Sequence, residues 1–283
     1  MTFADPTHTQ AAPAAAAPAN AVRVRDIRLD FFRGIAMFII LFAHTPGNFI
    51  TSWIPARFGF SDATEIFVFC SGMASAIAFG ATFDRAGWAL GTARVLYRIW
   101  QVYWAHIGLF FAVAATMVAL NSVFPDGRDY VGQLNLYPFF NNTQTNLLGL
   151  LTLSYVPNYF DILPMYLVIL AMMPLMIGLA RIHLGLAALV SVTLWLGANL
   201  LGWNFPAEPW SAREWFFNPF GWQLVFFTGF AFMSGWIPAP PVDRRLFWLA
   251  MAIILITIPF AYYRAFNAFP VFLDWRRDWD ILI

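Results

Sequence analysis

The chain has 283 residues, of which 60% are hydrophobic, 19% are aromatic and 11% are charged. Soluble globular proteins average about 25% charged residues, so this composition excludes both an ordinary soluble domain and a disordered chain. The net charge of +1 gives no indication of a nucleic-acid partner. Cys70 is the only cysteine, which excludes an internal disulfide and argues against a zinc or iron–sulfur site, so we expect no metal. All 16 basic residues are arginines, which excludes a lysine nucleophile or Schiff base.

The N-terminal region differs in composition from the rest of the chain. Residues 7–20, THTQAAPAAAAPAN, are polar and rich in proline and alanine, which is typical of a disordered extension. A secretory signal peptide would combine a charged start with an apolar core, and this pattern is not seen here. We therefore expect residues 1–22 to form a disordered cytoplasmic tail and residues 23–283 to form one membrane domain.

Long apolar stretches dominate the remainder of the chain. A membrane-crossing helix needs about 20 mostly apolar residues. Seven stretches approach this length, at about 31–50, 64–83, 99–120, 162–180, 182–201, 217–237 and 246–263. The segment 145–156 is too short to span and is a candidate re-entrant or interfacial segment. The pattern predicts an all-α, polytopic integral membrane helix bundle with about seven transmembrane helices.

The arginines between these stretches indicate an orientation. With a cytoplasmic N-terminus, ten arginines lie on the inner side of the membrane and six on the outer side. An excess of basic residues on the cytoplasmic side is the usual arrangement, so the N-terminus is predicted to lie inside.

The first apolar stretch carries the most informative residues. Arg33 and His44 are eleven positions apart, which places both side chains on one helix face, roughly 16 Å apart along the axis. Asp30 lies within about 60° of that face. A helix that enters the membrane near residue 31 would carry His44 roughly 20 Å deep, and ionisable groups at such depth indicate function. Pro46 and Gly47 then end the helix just beyond His44.

Each of these residues also has a purely structural interpretation. Arg33 could be one more cytoplasmic anchor of the positive-inside pattern. Asp30 could cap the helix or pair with Arg33 three residues later. His44 could simply bond to a neighbouring helix. The shared face and the helix break after His44 favour the functional interpretation.

The chain resembles a known family at several points. The Arg33–x10–His44 spacing resembles the acyltransferase-3 family of membrane enzymes. A more specific resemblance, to the OpgC-type proteins, rests on an ordered set of segments: RDIRLDFFRG, HTPGN, GFSDATEIFVFCSG (59–72), RIWQVYWAHIGLFF (98–111), NYFDILPMYLVIL (158–170) and NPFGWQLVFFTGF (218–230). Together these cover most of the chain after residue 23.

The resemblance implies a function and a location. OpgC-type proteins succinylate osmoregulated periplasmic glucans, so it implies a bacterial inner-membrane acyltransferase. The co-substrate would be an acyl coenzyme A, with succinyl favoured, no cofactor would be bound, and the acceptor would be a periplasmic glucan or another carbohydrate. Family members usually have about ten spans, so an inactive, C-terminally truncated relative is one alternative. A proton-coupled transporter is another, because buried histidines and carboxylates also build proton relays.

Acyl transfer from a thioester to a hydroxyl needs a base and a binding site for the donor. His44 suits the base, because an unperturbed imidazole titrates near neutral pH. Arg33 suits a donor anion, either the phosphates of coenzyme A or the free carboxylate of a succinyl group. We expect the coenzyme A head near Arg33 at the cytoplasmic end and the thioester near His44.

Two carboxylates open the second predicted helix on the outer side. Asp62 and Glu65 have the spacing of a capping box, in which each satisfies backbone N–H groups of the helix start. The functional alternative is that Glu65 or Asp62 orients His44, as a carboxylate does in a catalytic triad. Further along this helix, small residues recur at spacings of four and predict a close-packed face: Ser71, Gly72, Ser75, Ala76 and Gly80.

Four more polar or aromatic residues are candidates for substrate contact. His106 is placed seven residues into the third stretch, nearer the cytoplasm, where it could form an interhelical hydrogen bond or touch the pantetheine arm of the donor. Asp161 is a candidate N-cap of the fourth helix. Trp222 could anchor at the interface and Gln223 could join two helices, or both could bind sugar. The outer-side groups Asp62, Glu65, Asp161 and Gln223 could together rim an acceptor cleft.

Overall fold

The computed structural model of the protein describes residues 27–125 and 127–261. This part of the chain folds into α-helices, with one isolated β-bridge between Pro206 and Glu214. The helices are α1 (Ile27–Ala43), α2 (Ala63–Ser75), α3 (Ala81–Val123), α4 (Tyr130–Gln133), α5 (Tyr137–Asn141), α6 (Thr143–Leu151), α7 (Ile162–Ile182), α8 (Leu184–Leu200), α9 (Pro219–Met233) and α10 (Arg244–Ala261). The all-α prediction is confirmed for these residues, and the predicted tail 1–22 lies outside them.

The second and third predicted spans are joined without a loop. One turn of π-helix, Ala76–Gly80, links α2 to α3, so the chain stays helical from residue 63 onward. The break between the two spans falls at Gly87, whose φ of 82° and ψ of 174° are not helical. A side chain would be strained at this positive φ, which explains why glycine occupies the kink. The unbroken part of α3 therefore begins at Trp88, eleven residues before the apolar stretch that starts at residue 99.

The predicted number of spans is not confirmed. Two helical stretches, Ala63–Val123 and Ile162–Ile182, are long and apolar enough to cross a membrane. Leu184–Leu200 and Pro219–Met233 are apolar but shorter than a typical span. The predicted interfacial segment 145–156 overlaps the short helix α6, which has nine residues and is too short to cross a membrane.

The centre of the bundle is the contact between α2 and α9. A Cβ atom built on Gly72 would overlap the carbonyl oxygen of Phe226, and one built on Gly229 would overlap that of Phe69. The two backbones can approach this closely only because both positions lack a side chain. Gly80 also packs against the Phe230 ring. The predicted close-packed face of small residues is thus confirmed at Gly72 and Gly80.

Contacts along the helices define two ends of the bundle. Glu65 near the start of α2 lies beside Trp222 near the start of α9, and Gly80 lies beside Ser234 at the end of α9, so the two helices are parallel. In contrast, α3 and α7 run in opposite directions, since Asp84 bonds Arg181 while the His106 ring contacts Phe160. We call the end where α1 finishes and α2, α7 and α9 begin the His44 end.

A compact layer covers the His44 end beside α3. Residues 127–160 and 201–218, here called the cap layer, pack on α3 beyond the level of Phe160. Their buried core contains Phe110 and Ala114 of α3 together with Phe139, Tyr155 and Trp215. The Tyr155 hydroxyl donates to the carbonyl of Asn135, 2.8 Å away, which ties two turns of the layer together. The second half of α3 thus acts as the support of this layer.

The cap layer is fastened by a buried carboxylate. Glu208 accepts hydrogen bonds from Arg213 (3.0 Å), Ser211 (2.6 Å) and Asn135 (2.8 Å), and Arg213 also donates to the carbonyl of Val156. Burial alone would raise the pKa of Glu208, but the bonds from Arg213 and Ser211 outweigh burial and hold this pKa below its usual value. The ionised form is therefore the one that stabilises the layer.

We expect Glu208→Gln to weaken the cap layer in a pH-dependent manner. A carboxylate with a lowered folded pKa contributes stability that is present above its unfolded pKa of about 4.3 and is lost as pH falls below it. At pH 7 the opening free energy of segment 201–218, measured by hydrogen exchange, should fall by roughly 2 kcal/mol. The difference from wild type should shrink towards pH 3. Glu214→Gln, at an exposed position of the same loop, is the control and should change little.

Candidate functional site

A cavity between five helices contains Arg33. It has a volume of about 320 Å³ and is bounded by α1, α2, α3, α7 and α9. The Arg33 guanidinium lies over the Phe67 ring, 5.8 Å from its centroid, and its Nε atom is buried without a hydrogen-bond partner among the described residues. A buried donor without a partner is rare in proteins and marks a place where a ligand can bind. Arg33 thus has hydrogen-bonding capacity directed at a ligand.

A second arginine, Arg98, lines the same cavity. Its Nη1 atom makes one long bond, 3.3 Å, to the Gln101 side chain, and its other donors have no partner within residues 27–125 and 127–261. The apolar stretch begins at residue 99, so the sequence pattern alone predicts that Arg98 lies in the preceding loop. The structure instead places it within α3, one helical turn beyond Arg94. In the sequence, only the i, i+4 spacing of Arg94 and Arg98 before an apolar run indicates that Arg98 lies within a helix.

The rest of this cavity, which we call the Arg33–Arg98 cavity, is mostly apolar, with the hydroxyl groups of Ser71 and Tyr166 among its lining. Val68, Met165, Ile169 and Phe226 are among its walls, and the Tyr166 side chain also faces it. Two guanidiniums above an apolar wall are suited to a ligand that joins an anionic group to an aliphatic or thioester segment. The chemistry matches an anionic acyl donor better than a simple inorganic ion.

The position of the Arg33–Arg98 cavity along the bundle follows from the residues that line it. Arg33 contacts Phe67, which lies in the second turn of α2, and the cavity also takes in the first two turns of α7. Because α2 and α7 begin at the His44 end, Arg33 lies towards that end and not at the opposite edge of the bundle. Within α1 itself Arg33 is the seventh residue, nearer the start than the end, and its predicted place on the cytoplasmic side stays a prediction.

His44 lies at the end of the bundle that carries its name, and its side chain is exposed. The helix ends at Ala43, just before His44, and the predicted depth of His44 in the membrane stays a prediction. Its Nδ1 atom is 2.8 Å from the carbonyl oxygen of Ile40. A carbonyl can only accept, so Nδ1 carries the proton and Nε2 keeps a free lone pair. This is the tautomer that a general base needs.

Arg33 and His44 both face the start of α7, as their predicted shared face requires. The His44 ring packs edge-on against Tyr159, with the ring centroids 6.0 Å apart, and Arg33 lines the cavity beside Ile162 and Tyr166. Tyr159 has a φ of 69°, which is rare for a residue with a side chain. Such strain is often found at functional sites, where the surroundings hold it.

The two predicted outer carboxylates form a capping box. The Asp62 side chain accepts from the start of α2, and the Glu65 Oε2 atom accepts from the Asp62 backbone N–H at 2.7 Å. The His44 ring is oriented by the Ile40 carbonyl, and the described residues show no contact between His44 and either carboxylate. The structural interpretation is confirmed, and a triad-like role for Glu65 is not supported by this arrangement.

Gln223 and Asp161 hold the fold together. Gln223 is fully buried and exchanges hydrogen bonds with the hydroxyl and carbonyl of Ser191, both at 2.7 Å, so it joins α9 to α8. Asp161 occupies the predicted N-cap position of α7, but its side chain makes no capping bond there. It accepts instead from the Phe216 backbone N–H at 2.6 Å and ties α7 to the cap layer. Both side chains are buried, which is not expected of groups that rim an open cleft.

His106 lies elsewhere than predicted. It is completely buried, and neither ring nitrogen has a hydrogen-bond partner among the described residues, so the expected interhelical bond is absent there. The ring packs edge-on against Phe160 at 6.4 Å. Because α3 is unbroken only from Trp88 onward, His106 lies about 27 Å beyond the Gly87 kink, at the His44 end of the bundle, and not seven residues from the start of its helix. A contact with the donor stays a prediction.

Asp30 and Trp222 are the remaining residues that the sequence predicts as site residues. Asp30 lies half-buried in the first turn of α1. Trp222 lines a second cavity, of about 360 Å³, between α2, α8 and α9, and Glu65 lines it as well. The structure therefore brings Glu65 and Trp222 together and separates both from the Arg33–Arg98 cavity. Among the described residues no cluster of His, Cys, Asp and Glu could hold a metal ion.

Comparison with known proteins gives the family. A family model described as OpgC protein matches residues 25–279, which is most of the chain. No curated protein and no solved structure matches the chain. The match includes every segment that carries the sequence resemblance and both arginines of the cavity. The family carries a role in the modification of osmoregulated periplasmic glucans, as a transferase acting on glucans. The chain belongs to the OpgC protein family.

Proposed function

We propose that this chain is an inner-membrane O-acyltransferase with a cytoplasmic N-terminus. It moves an acyl group, with succinyl favoured, from acyl coenzyme A to a hydroxyl of a periplasmic glucan. The observation that carries this proposal is the Arg33–Arg98 cavity, which lies along the same face of α1 as the free Nε2 atom of His44. Family membership supplies the glucan as the acceptor.

The donor binds with its anionic part at the two arginines. Arg33 and His44 are eleven residues apart, which is about 16 Å along a helix. That separation is too long for the two ends of a succinyl group but is comparable with an extended pantetheine arm. We therefore assign Arg33 and Arg98 to a phosphate of coenzyme A, which a guanidinium can bind in bidentate fashion. The thioester carbon then lies near His44.

Transfer proceeds with His44 as the general base. The glucan hydroxyl attacks the thioester carbonyl carbon while its proton passes to Nε2 of His44. The tetrahedral intermediate then collapses, the carbon–sulfur bond breaks, and the departing thiolate takes the proton from the imidazolium. The products are the glucan ester and coenzyme A with a free thiol. The Nδ1–H group stays hydrogen-bonded to the Ile40 carbonyl throughout, so Nε2 is the atom that takes up and releases the proton.

Arg33→Lys tests the donor assignment. A lysine keeps the charge but cannot form the bidentate pair, so the KM for the donor should rise roughly tenfold. Because the arginines are assigned to coenzyme A itself, the rise should be equal for succinyl and acetyl coenzyme A. Steady-state transfer in membrane vesicles measures both values. Arg244→Lys, at the exposed start of α10, is the matched control.

Two results would contradict that assignment. An unchanged donor KM in Arg33→Lys would remove Arg33 from the donor site. A rise seen with succinyl coenzyme A only would move Arg33 from the phosphates to the free carboxylate of the acyl group.

A further inference from the structure

The second cavity, which we call the Trp195–Trp222 cleft, lies at the His44 end of the bundle. Glu65 contributes from the start of α2, Trp222 from the start of α9, and Trp195 and Asn199 from the end of α8. The cleft has a volume of about 360 Å³ and shares no lining residue with the Arg33–Arg98 cavity. It is thus a separate recess at the end of the bundle where the acceptor is proposed to react.

Its polar groups keep unused hydrogen-bonding capacity. Glu65 uses Oε2 in the capping box, which leaves Oε1 open. Asn199 spends its amide N–H on the Trp195 carbonyl at 2.8 Å, which leaves its own oxygen open. The indole N–H groups of Trp195 and Trp222 make no hydrogen bond within the described part of the chain. The residues that line this recess therefore carry two donors and two acceptors that have no partner in the described part of the chain.

The aromatic surfaces of the cleft are held in place. Trp222 packs edge-on against Phe217, with ring centroids 5.4 Å apart, and it borders the main hydrophobic core. Trp195 is partly exposed, which leaves part of its indole free for a ligand. Rigid aromatic surfaces bind at a low cost in conformational entropy.

Resting on the proposed function, we propose that this cleft binds a glucosyl unit of the acceptor glucan next to the unit that is acylated. A pyranose ring has an apolar face of C–H groups, which packs on an indole, and a rim of hydroxyls, which bond to carboxylate and amide groups. Tryptophans that serve only as membrane anchors would not need an open carboxylate and amide beside them. The cleft and the donor cavity share no lining residue. We therefore assign the cleft to a neighbouring unit of the polymer and not to the unit that reacts at His44.

Because the cleft binds a second glucosyl unit, the affinity for the acceptor depends on the length of the acceptor. A glucan long enough to reach both His44 and the cleft gains affinity from the second contact, whereas a disaccharide at His44 does not. Trp195→Ala and Asn199→Ala should therefore raise the KM for glucan roughly tenfold and leave kcat within about twofold. The KM for a glucose disaccharide should stay within about twofold of wild type.

The experiment uses the full chain in detergent with succinyl coenzyme A and either purified periplasmic glucan or the disaccharide. Trp222→Phe, which keeps an aromatic surface, should retain more affinity for glucan than Trp222→Leu. Trp248→Ala, at an exposed position on α10, is the control for removal of a surface tryptophan. Isothermal titration with glucan alone gives a readout that does not depend on transfer.

The two proposals fail in different ways. If Trp195→Ala and Asn199→Ala bind glucan as tightly as wild type, the cleft is not an acceptor site. If both lose affinity for the disaccharide as much as for glucan, the neighbouring-unit assignment is wrong. If glucan binds in a cleft-dependent manner but no acyl group is transferred, the cleft stands and the proposed function fails.

Discussion

Replacing His44 with alanine is expected to lower acyl transfer by about two to four orders of magnitude. The Ile40 carbonyl fixes the Nδ1 proton, so Nε2 is the atom available to accept the hydroxyl proton. His44 lies beyond the last residue of α1 and is exposed, so its removal takes away no core packing. Transfer at saturating donor and glucan, measured in membrane vesicles, gives the fall in kcat directly.

His183→Ala is the matched control for that experiment. His183 is also exposed and also flanks a helix, since its Nδ1 atom accepts from the Gly185 N–H at the start of α8. It lies between the end of α7 and the start of α8, at the far end of the bundle from His44. Its loss should leave transfer within about twofold. Transfer by His44→Ala at the wild-type rate would remove His44 from the chemistry.

Gly72→Val is expected to separate α2 from α9 and to destabilise the whole bundle. Any side chain at this position overlaps the Phe226 carbonyl oxygen, and a backbone atom cannot move aside as a flexible side chain can. Overpacking of a tight interior costs typically about 1–3 kcal/mol, and a clash with backbone should reach or exceed the upper value. The same contact forms one wall of the Arg33–Arg98 cavity, so donor binding should be lost as well.

The single buried thiol of Cys70 provides the measurement. It lies in α2 two residues before Gly72, so its reaction with a thiol-specific dye during heating reports opening of this helix pair. Gly72→Val should label at a markedly lower temperature than wild type. Gly108→Val, at a helical glycine with open space around it, is the control and should label near the wild-type temperature. Equal labelling temperatures for the two variants would contradict the packing argument.

Local pattern was enough to predict the helices, the capping box and the close-packed small residues. Apolar periodicity locates the long helices within a few residues, and the Asp62–Glu65 spacing encodes contacts made within one turn. Gly72 recurs with other small residues at helical spacing, so its face could be inferred without its partner. These features depend on residues that are near one another in the chain.

The site residues that were missed or misplaced depend on distant segments. The apolar pattern predicts a loop position for Arg98 because charged residues precede its apolar run, and only its place in the bundle brings it to Arg33. The predicted position of His106 along its helix is wrong because the unbroken part of α3 starts directly after the Gly87 kink, and the apolar pattern does not mark this kink. Asp161 looked like an N-cap, yet its partner is the backbone of Phe216 far along the chain.

The central claim is that this chain esterifies a periplasmic glucan through His44. Mass spectrometry of glucans from a host that lacks its own succinyltransferase tests it most directly, with the host carrying the wild-type chain, His44→Ala or an empty vector. The account predicts glucan that is heavier by one or more succinyl groups with the wild-type chain, and unmodified glucan with the other two. Unmodified glucan in all three, with the chain confirmed in the membrane, would contradict it.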